Sequence, residues 1–172
     1  EYLPDLKRNR YLFAFQNGVF HIRDNTFYHF KPGIGKHWVG ELSALTANNV
    51  AIKYHDIKYD EEKIEEEMRL GGNDFMSIKI DGVDKILTEQ EFTVEERRSI
   101  YALLGRMLWE MGDKDGDNWQ VFPVFLGLAG TGKSSLFRNV AALYEKRDVG
   151  ILNNVVQTTF ALETLVDKLI YF

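Results

Sequence analysis

The chain has 172 residues, of which 45% are hydrophobic and 13% aromatic, so it can build a core and is not a disordered polypeptide. Its net charge of −5 gives no overall basic character of the kind that marks nucleic-acid-binding domains, although a local basic patch is still compatible with it. The absence of cysteine excludes disulfides and thiolate zinc sites, and no apolar run is long enough to cross a bilayer.

The chain opens with EYLPDLKRNR, which is not a signal peptide and lacks an initiator methionine, so we expect a piece of a longer protein. Aromatic and β-branched residues then cluster in three runs separated by turn-forming residues. This pattern predicts an antiparallel meander with strands over residues 11–15, 18–23 and 26–30. His21 and His29 are expected to face each other across the second hairpin as ordinary side chains of a half-buried sheet, because two histidines alone make no metal site.

The next segment has weaker signals. Residues 31–36 (KPGIGK) predict a loop, and they are rejected as a phosphate site because they lack the strand-to-helix framing of a P-loop. Residues 37–47 predict a short helix, with Trp38 in the core. Residues 49–55 (NVAIKYH) predict a further strand.

Three helices are predicted in the middle of the chain. Residues 60–70 predict an acidic helix with a solvated face, and residues 83–90 predict a short helix. Residues 94–111 predict the clearest helix, with a threonine–glutamate capping box at its start and an apolar stripe along one side. Gly105 lies inside this helix, where close packing of a neighbouring helix would explain a glycine.

The acidic stretch at residues 112–118 (GDKDGDN) predicts a solvated linker and a domain boundary. It resembles an EF-hand calcium loop only in its alternating aspartates. The position that requires glycine in an EF hand holds Asn118, and the position of the bidentate glutamate holds Val124. We therefore predict no calcium site here.

The most informative stretch reads VFLGLAGTGKSS. It predicts a strand over residues 121–126, a glycine-rich turn and the start of an amphipathic helix. The P-loop spacing G-x-x-x-x-G-K-[ST] is met by Gly127, Gly132, Lys133 and Ser134. In such a loop, glycines let successive backbone N–H groups cradle a phosphate, and the helix that follows adds the positive end of its dipole.

This motif predicts a nucleotide site with assigned roles. The residues predicted to bind ATP are Gly127, Leu128, Ala129, Gly130, Thr131, Gly132, Lys133, Ser134 and Ser135. Lys133 is the predicted catalytic residue, because its ammonium group would reach the β- and γ-phosphates and stabilise the transferring phosphoryl group. The Ser134 hydroxyl is the predicted Mg²⁺ ligand.

Beyond the motif, residues 148–156 and 168–172 predict two strands, with a short helix over residues 160–166. The last of these, KLIYF, has the pattern of the strand that ends in the Walker B acid, but the chain stops before that acid is expected. Asp167 precedes the strand and so lies at its wrong end. We therefore expect this piece to bind nucleotide weakly and to hydrolyse it only near background.

The sequence resembles the superfamily 3 helicase part of the primase–helicases of large DNA viruses and of related phage and plasmid elements. The resemblance runs through FAFQNGVFHIRDNTFYHF, VAIKYHDIKYD, LLGRML, GLAGTGKSSLF and DKLIYF. It implies an ATP- and Mg²⁺-dependent replicative DNA helicase that forms a hexameric ring around DNA. It also implies an intracellular location, at a viral replication site in the host cytoplasm.

The expected fold is α/β, with a mixed β/helical collar-like region before the start of a truncated, AAA+-like P-loop domain. We expect a β-rich region over residues 1–60, a helical domain over residues 61–118 and the ATPase start over residues 119–172. Two alternatives remain: another P-loop NTPase, either a kinase or a GTPase, and a non-catalytic assembly or binding module. Ring formation that depends on nucleotide would favour the helicase, whereas a monomer or dimer unaffected by ATP would favour the module.

Overall fold

The computed structural model describes residues 6–42, 49–110, 123–151 and 168–171. The elements in chain order are β1 (Lys7–Phe15), β2 (Gly18–His21), β3 (Thr26–His29), β4 (His37–Trp38), β5 (Asn49–His55), α1 (Glu61–Leu70), α2 (Asp81–Glu89), α3 (Val94–Arg106), α4 (Lys133–Ala141), β6 (Val149–Gly150) and β7 (Ile170–Tyr171). The prediction of a mixed α/β protein is confirmed. Within these residues, no helix is both long and apolar enough to cross a membrane.

The chain divides into two units. The first comprises Glu1–Glu66 together with Leu143–Glu145, and the second comprises Glu67–Ala142 together with Lys146–Phe172. Each unit has its own group of buried apolar side chains.

The first unit is built on a five-stranded sheet with the order β4-β3-β2-β1-β5. Strands β1, β2 and β3 form the predicted antiparallel meander, which is confirmed. Strand β1 begins four residues earlier than predicted, at Lys7. Strand β5, also predicted, pairs with β1 in parallel at one edge, and β4 pairs with β3 in parallel at the other. The meander folds as predicted because its turns are encoded locally by short runs of turn-forming residues.

The two faces of this sheet carry different side chains. On one face, Leu12 and Val19 are buried together with Leu42, which follows β4. The opposite face, called the aromatic face here, carries the rings of Phe13, Phe15, Phe20, Phe27, His29 and His55. The alternation follows from the two-residue period of a strand, which sends successive side chains to opposite faces.

Asn17, in the turn between β1 and β2, holds Tyr59 over the aromatic face of the sheet. The Asn17 side chain donates through Nδ2 to the Tyr59 carbonyl oxygen at 2.9 Å, and its Oδ1 accepts from the Tyr59 backbone N–H at 2.8 Å. The Tyr59 ring stacks on Phe27, with centroids 4.5 Å apart and an interplanar angle of 21°. One amide side chain thus satisfies both backbone polar groups of the residue whose ring covers the sheet.

Residues Leu143–Glu145, which belong to the first unit, also lie against the aromatic face. The buried Tyr144 ring meets Phe13 edge to face at a centroid distance of 5.9 Å. Lys53 Nζ donates to the Tyr144 carbonyl oxygen at 3.2 Å. The sheet therefore binds a segment more than eighty positions away in the sequence through both a ring and a backbone contact.

The predicted pairing of His21 with His29 is wrong. The register places His21 opposite Thr26 and His29 opposite Gly18, so the two imidazoles lie on opposite faces of the sheet. The reason is the four-residue connection between β2 and β3, which sets the register of the hairpin. Both histidines are buried beside a carboxylate. His21 Nδ1 lies 2.7 Å from an oxygen of Asp24, and His29 Nε2 lies 2.8 Å from an oxygen of Glu61.

The short helix predicted over residues 37–47 is wrong in its first part. His37 and Trp38 form strand β4 and residues 39–42 form a turn, while residues 43–47 lie outside the described residues. Trp38 is 40% exposed rather than part of the core, because an edge strand is covered by a neighbour on one side only. The loop predicted over residues 31–36 is confirmed.

Of the three helices predicted in the middle of the chain, α2 and α3 belong to the second unit. The helix predictions for residues 60–70 and 83–90 are confirmed as α1 and α2. Helix α3 begins at the predicted capping box, in which Thr93 Oγ1 accepts from the Glu96 backbone N–H and the Glu96 carboxylate accepts from the Thr93 N–H. It ends at Arg106, before the predicted Met111, which lies outside the described residues. The close packing that would explain Gly105 is not found in the described residues, because apart from the backbone of α3 itself no described atom lies within 4 Å of a Cβ built there.

The core of the second unit joins α4 to the helix pair α2 and α3. Its buried residues are Val83, Leu87, Ile100 and Leu136. Strands β6 and β7 pair in parallel, with Val149 opposite Ile170, so the predicted strands over residues 148–156 and 168–172 are each present in part. The predicted linker over residues 112–118 and the helix over residues 160–166 lie outside the described residues.

His55 gives the first unit an expected pH dependence. Its ring stacks on Phe15 at a centroid distance of 5.2 Å and on Phe13 at 6.2 Å. Its Nε2 atom is buried without a hydrogen-bond partner in the part of the chain that the structure describes. Burial, and then the positive charge of Lys53, lowers the pKa of the imidazole below its usual value.

Because the pKa of His55 is lower in the folded state, the unfolded chain takes up its proton first as the pH falls. The free energy of unfolding should therefore decrease from about pH 7 toward about pH 5, the range in which an ordinary histidine becomes protonated. We expect His55→Phe to show a shallower decrease than the unsubstituted chain when both are unfolded with urea across this range. Parallel profiles for the two proteins would contradict this role of His55.

Candidate functional site

The segment that precedes the predicted phosphate-binding loop is not a strand. Residues 123–126 are irregular, and residues 121 and 122 of the predicted strand lie outside the described residues. Val124 and Leu126 are 66% and 90% exposed. A strand requires a neighbour for its backbone hydrogen bonds, and in the described part of the chain β6 and β7 pair only with each other. Pro123 also has no N–H to donate.

The glycine loop, defined as residues 127–132, turns through left-handed backbone conformations. Gly130 has φ of 85° and Gly132 has φ of 83°, values that strain any residue with a Cβ. At Gly132 the space is closed as well, because an added Cβ would lie 2.5 Å from Cγ2 of Ile86 on α2. The backbone path and this packing both explain why glycine occupies the position.

Helix α4 begins immediately after the loop. Gly132 is its N-cap residue and Lys133 its first helical residue, as the motif predicts. The Gly132 carbonyl oxygen accepts from the N–H groups of Ser135 and Leu136 at 2.9 and 3.1 Å. A glycine N-cap has no side chain to occupy the first-turn N–H groups, so the positive end of the helix dipole faces the loop without a competing side-chain acceptor from the cap. The helix is anchored from behind by the buried side chains of Leu136 and Val140.

The Lys133 side chain folds back across the glycine loop. Its ammonium group donates to the Gly127 carbonyl oxygen at 2.8 Å, to the Leu128 carbonyl oxygen, and to Thr131 Oγ1 at 3.0 Å. An ammonium group has three N–H donors, and each has an acceptor within the loop. These bonds join the first residues of the loop to the residue just before its end, with the positive charge between them.

The remaining predicted residues lie around this charge. Leu128, Ala129 and Ser134 are exposed, and Ser135 is half-buried in the first turn of α4. The nine predicted residues thus form one continuous loop and helix start. Ser134 is exposed in the first turn of α4, and in the described residues no group of three or more His, Asp or Glu side chains could hold a metal ion.

Two features of this site have no signal in the motif. The Thr131 hydroxyl contacts Lys133, although the spacing assigns this position no side-chain role. Ile86, more than forty positions earlier in the chain, packs behind Gly132. The contact between Thr131 and Lys133 could be anticipated from the presence of a hydroxyl two residues before the lysine. The position of Ile86 could not, because it depends on how α2 and α4 pack.

The second unit also has an apolar cavity of about 380 Å³, lined by Phe75, Ile78, Ile80, Tyr101 and Ala102. Tyr101 is one of the lining residues, and its hydroxyl donates to Asp84 at 2.7 Å. Burial and this hydrogen bond raise the pKa of Tyr101 well above its ordinary value. A neutral hydroxyl already bonded to a carboxylate offers little chemistry, so the glycine loop is the better candidate site.

Comparison of the chain with protein-family models, with curated proteins and with solved structures gave no match in any of the three.

Proposed function

We propose that the glycine loop and the first turn of α4 bind the phosphates of ATP, in the ATPase part of a replicative DNA helicase. The observation that carries the nucleotide-binding proposal is the position of the Lys133 ammonium group, inside a loop with left-handed glycines at the start of a helix. Positive charge, a glycine turn and an open helix N-terminus are the three features that attract a phosphate group.

Each residue has a defined part in this proposal. Lys133 Nζ would bind β- and γ-phosphate oxygens as a point charge, and the loop backbone would surround the β-phosphate. The Ser134 hydroxyl would ligate the Mg²⁺ ion that bridges the same phosphates. Gly130 and Gly132 would permit the close approach of the backbone that the cradle needs.

The helicase part of the proposal is supported by the resemblance of the sequence to superfamily 3 primase–helicases. On that basis the intact protein would assemble as a hexameric ring on DNA and use ATP hydrolysis to unwind it. Such a site also needs a Walker B acid that shares the Mg²⁺ ion with the serine.

Titration with ATP tests the nucleotide-binding proposal. We expect the chain to bind ATP more tightly with Mg²⁺ than without it, and Ser134→Ala to lose most of that difference. Loss of a metal ligand worth about 1.4 kcal/mol corresponds to about a tenfold change in affinity. The matched control is Ser99→Ala, an exposed serine on α3 whose hydroxyl donates to the Glu95 carbonyl oxygen. Absence of ATP binding at millimolar concentration would contradict the proposal.

A further inference from the structure

The contacts of Lys133 are of two kinds. The carbonyl oxygens of Gly127 and Leu128 belong to the backbone, and their positions are fixed by the path of the loop. Thr131 Oγ1 belongs to a side chain that can rotate about a single bond. Of the three acceptors, it can leave Lys133 without any change in the backbone.

The direction of the hydrogen bonds at Thr131 is determined by its neighbours. Thr131 Oγ1 donates its hydrogen to the Leu128 carbonyl oxygen at 2.9 Å, and it accepts from Lys133 Nζ at 3.0 Å. The hydroxyl is therefore a neutral acceptor toward the ammonium group. A phosphate oxygen carries negative charge, so it adds the attraction between opposite charges that the neutral hydroxyl lacks.

We propose that the Thr131 hydroxyl holds the place of a phosphate oxygen on Lys133 and is displaced when a nucleoside triphosphate binds, an inference that rests on the function proposed above. Lys133 then turns the N–H that Thr131 releases toward a phosphate oxygen. Thr131 acts through Lys133 and is a positioning residue. It competes with the ligand, so its contact lowers the affinity for ATP.

The test compares ATP affinity, measured by calorimetry in the presence of Mg²⁺, for the unsubstituted chain, Thr131→Val and Thr131→Ser. Valine keeps the shape of threonine and removes the hydroxyl, so it removes the competitor. We expect Thr131→Val to bind ATP about three- to tenfold more tightly, since a hydrogen bond to a charged group contributes on this scale when it is partly exposed. Thr131→Ser keeps the hydroxyl, so its affinity for ATP should be within about twofold of that of the unsubstituted chain.

The direction of the change separates this role from a structural one. If Thr131 only shaped the loop, removing its hydroxyl would loosen the loop and weaken binding. An unchanged or weaker affinity of Thr131→Val, in a chain that otherwise binds ATP, overturns the displacement by phosphate and leaves the proposed function intact. Failure of the unsubstituted chain to bind ATP overturns both proposals.

Discussion

Replacement of Lys133 by alanine in the intact protein is expected to lower ATP hydrolysis at least about a hundredfold. Lys133 Nζ is the positive charge that the fold holds inside the glycine loop, bonded to the Gly127 carbonyl oxygen and to Thr131. In the proposed mechanism this charge stabilises the phosphoryl group as it is transferred. Loss of one such fixed donor typically lowers turnover about a hundred- to a thousandfold.

The matched control for this substitution is Lys85→Ala. Lys85 is an exposed lysine on α2 whose ammonium group lies 3.9 Å from Glu89, an ordinary surface pair. Its removal changes the net charge by the same amount and should leave hydrolysis unchanged. If Lys133→Ala hydrolyses ATP as fast as the Lys85→Ala control, the assignment of Lys133 is wrong.

Replacement of Gly18 by alanine is expected to destabilise the first unit strongly. A Cβ at Gly18 would lie 2.2 Å from the Tyr28 carbonyl oxygen and 2.6 Å from Cζ of Phe27. The carbonyl belongs to the neighbouring strand of the ladder and the ring is fully buried, so neither can move aside without cost. We expect a decrease of about 3 kcal/mol in the free energy of unfolding.

Gly105→Ala serves as the control for the Gly18 substitution. It lies on the exposed side of α3, with no described atom within 4 Å of an added Cβ. Alanine favours a helix over glycine by up to about 1 kcal/mol, so this variant should be slightly stabilised. The free energies of unfolding of Gly18→Ala and Gly105→Ala are measured by urea unfolding. Equal stability of Gly18→Ala and the unsubstituted chain would mean that β2 and β3 do not pack as described.

The elements that could be predicted are those encoded by neighbouring residues. The capping box of Thr93 and Glu96 specifies the start of α3 with a contact that spans three positions. The meander follows from turn residues between short aromatic runs. In each case the interactions that fix the structure lie within a few residues along the chain.

The features that could not be predicted depend on contacts between distant segments. The sheet faces on which His21 and His29 lie follow from the register of the β2–β3 hairpin, and this register shifts with each residue in the connection between the two strands. The exposure of Trp38 follows from the position of β4 at the sheet edge. The irregular path of residues 123–126 likewise reflects the lack of a pairing neighbour in the described structure, which an apolar sequence run cannot reveal.

Some features of the candidate site could likewise be predicted from neighbouring residues, and others could not. The helix start at Lys133 and the left-handed glycines follow from the local spacing. The packing of Ile86 behind Gly132 comes from α2, which the motif does not contain. Local sequence therefore specifies the shape of the loop, and tertiary packing specifies what supports it.

A crystal structure of the chain with a non-hydrolysable ATP analogue is the most direct measurement. We expect density for the β- and γ-phosphates beside Lys133 Nζ, with the Thr131 side chain rotated away from it. Occupancy of the analogue at another surface, with Lys133 still bonded to Gly127 and Thr131 as it is here, would contradict phosphate binding by the glycine loop.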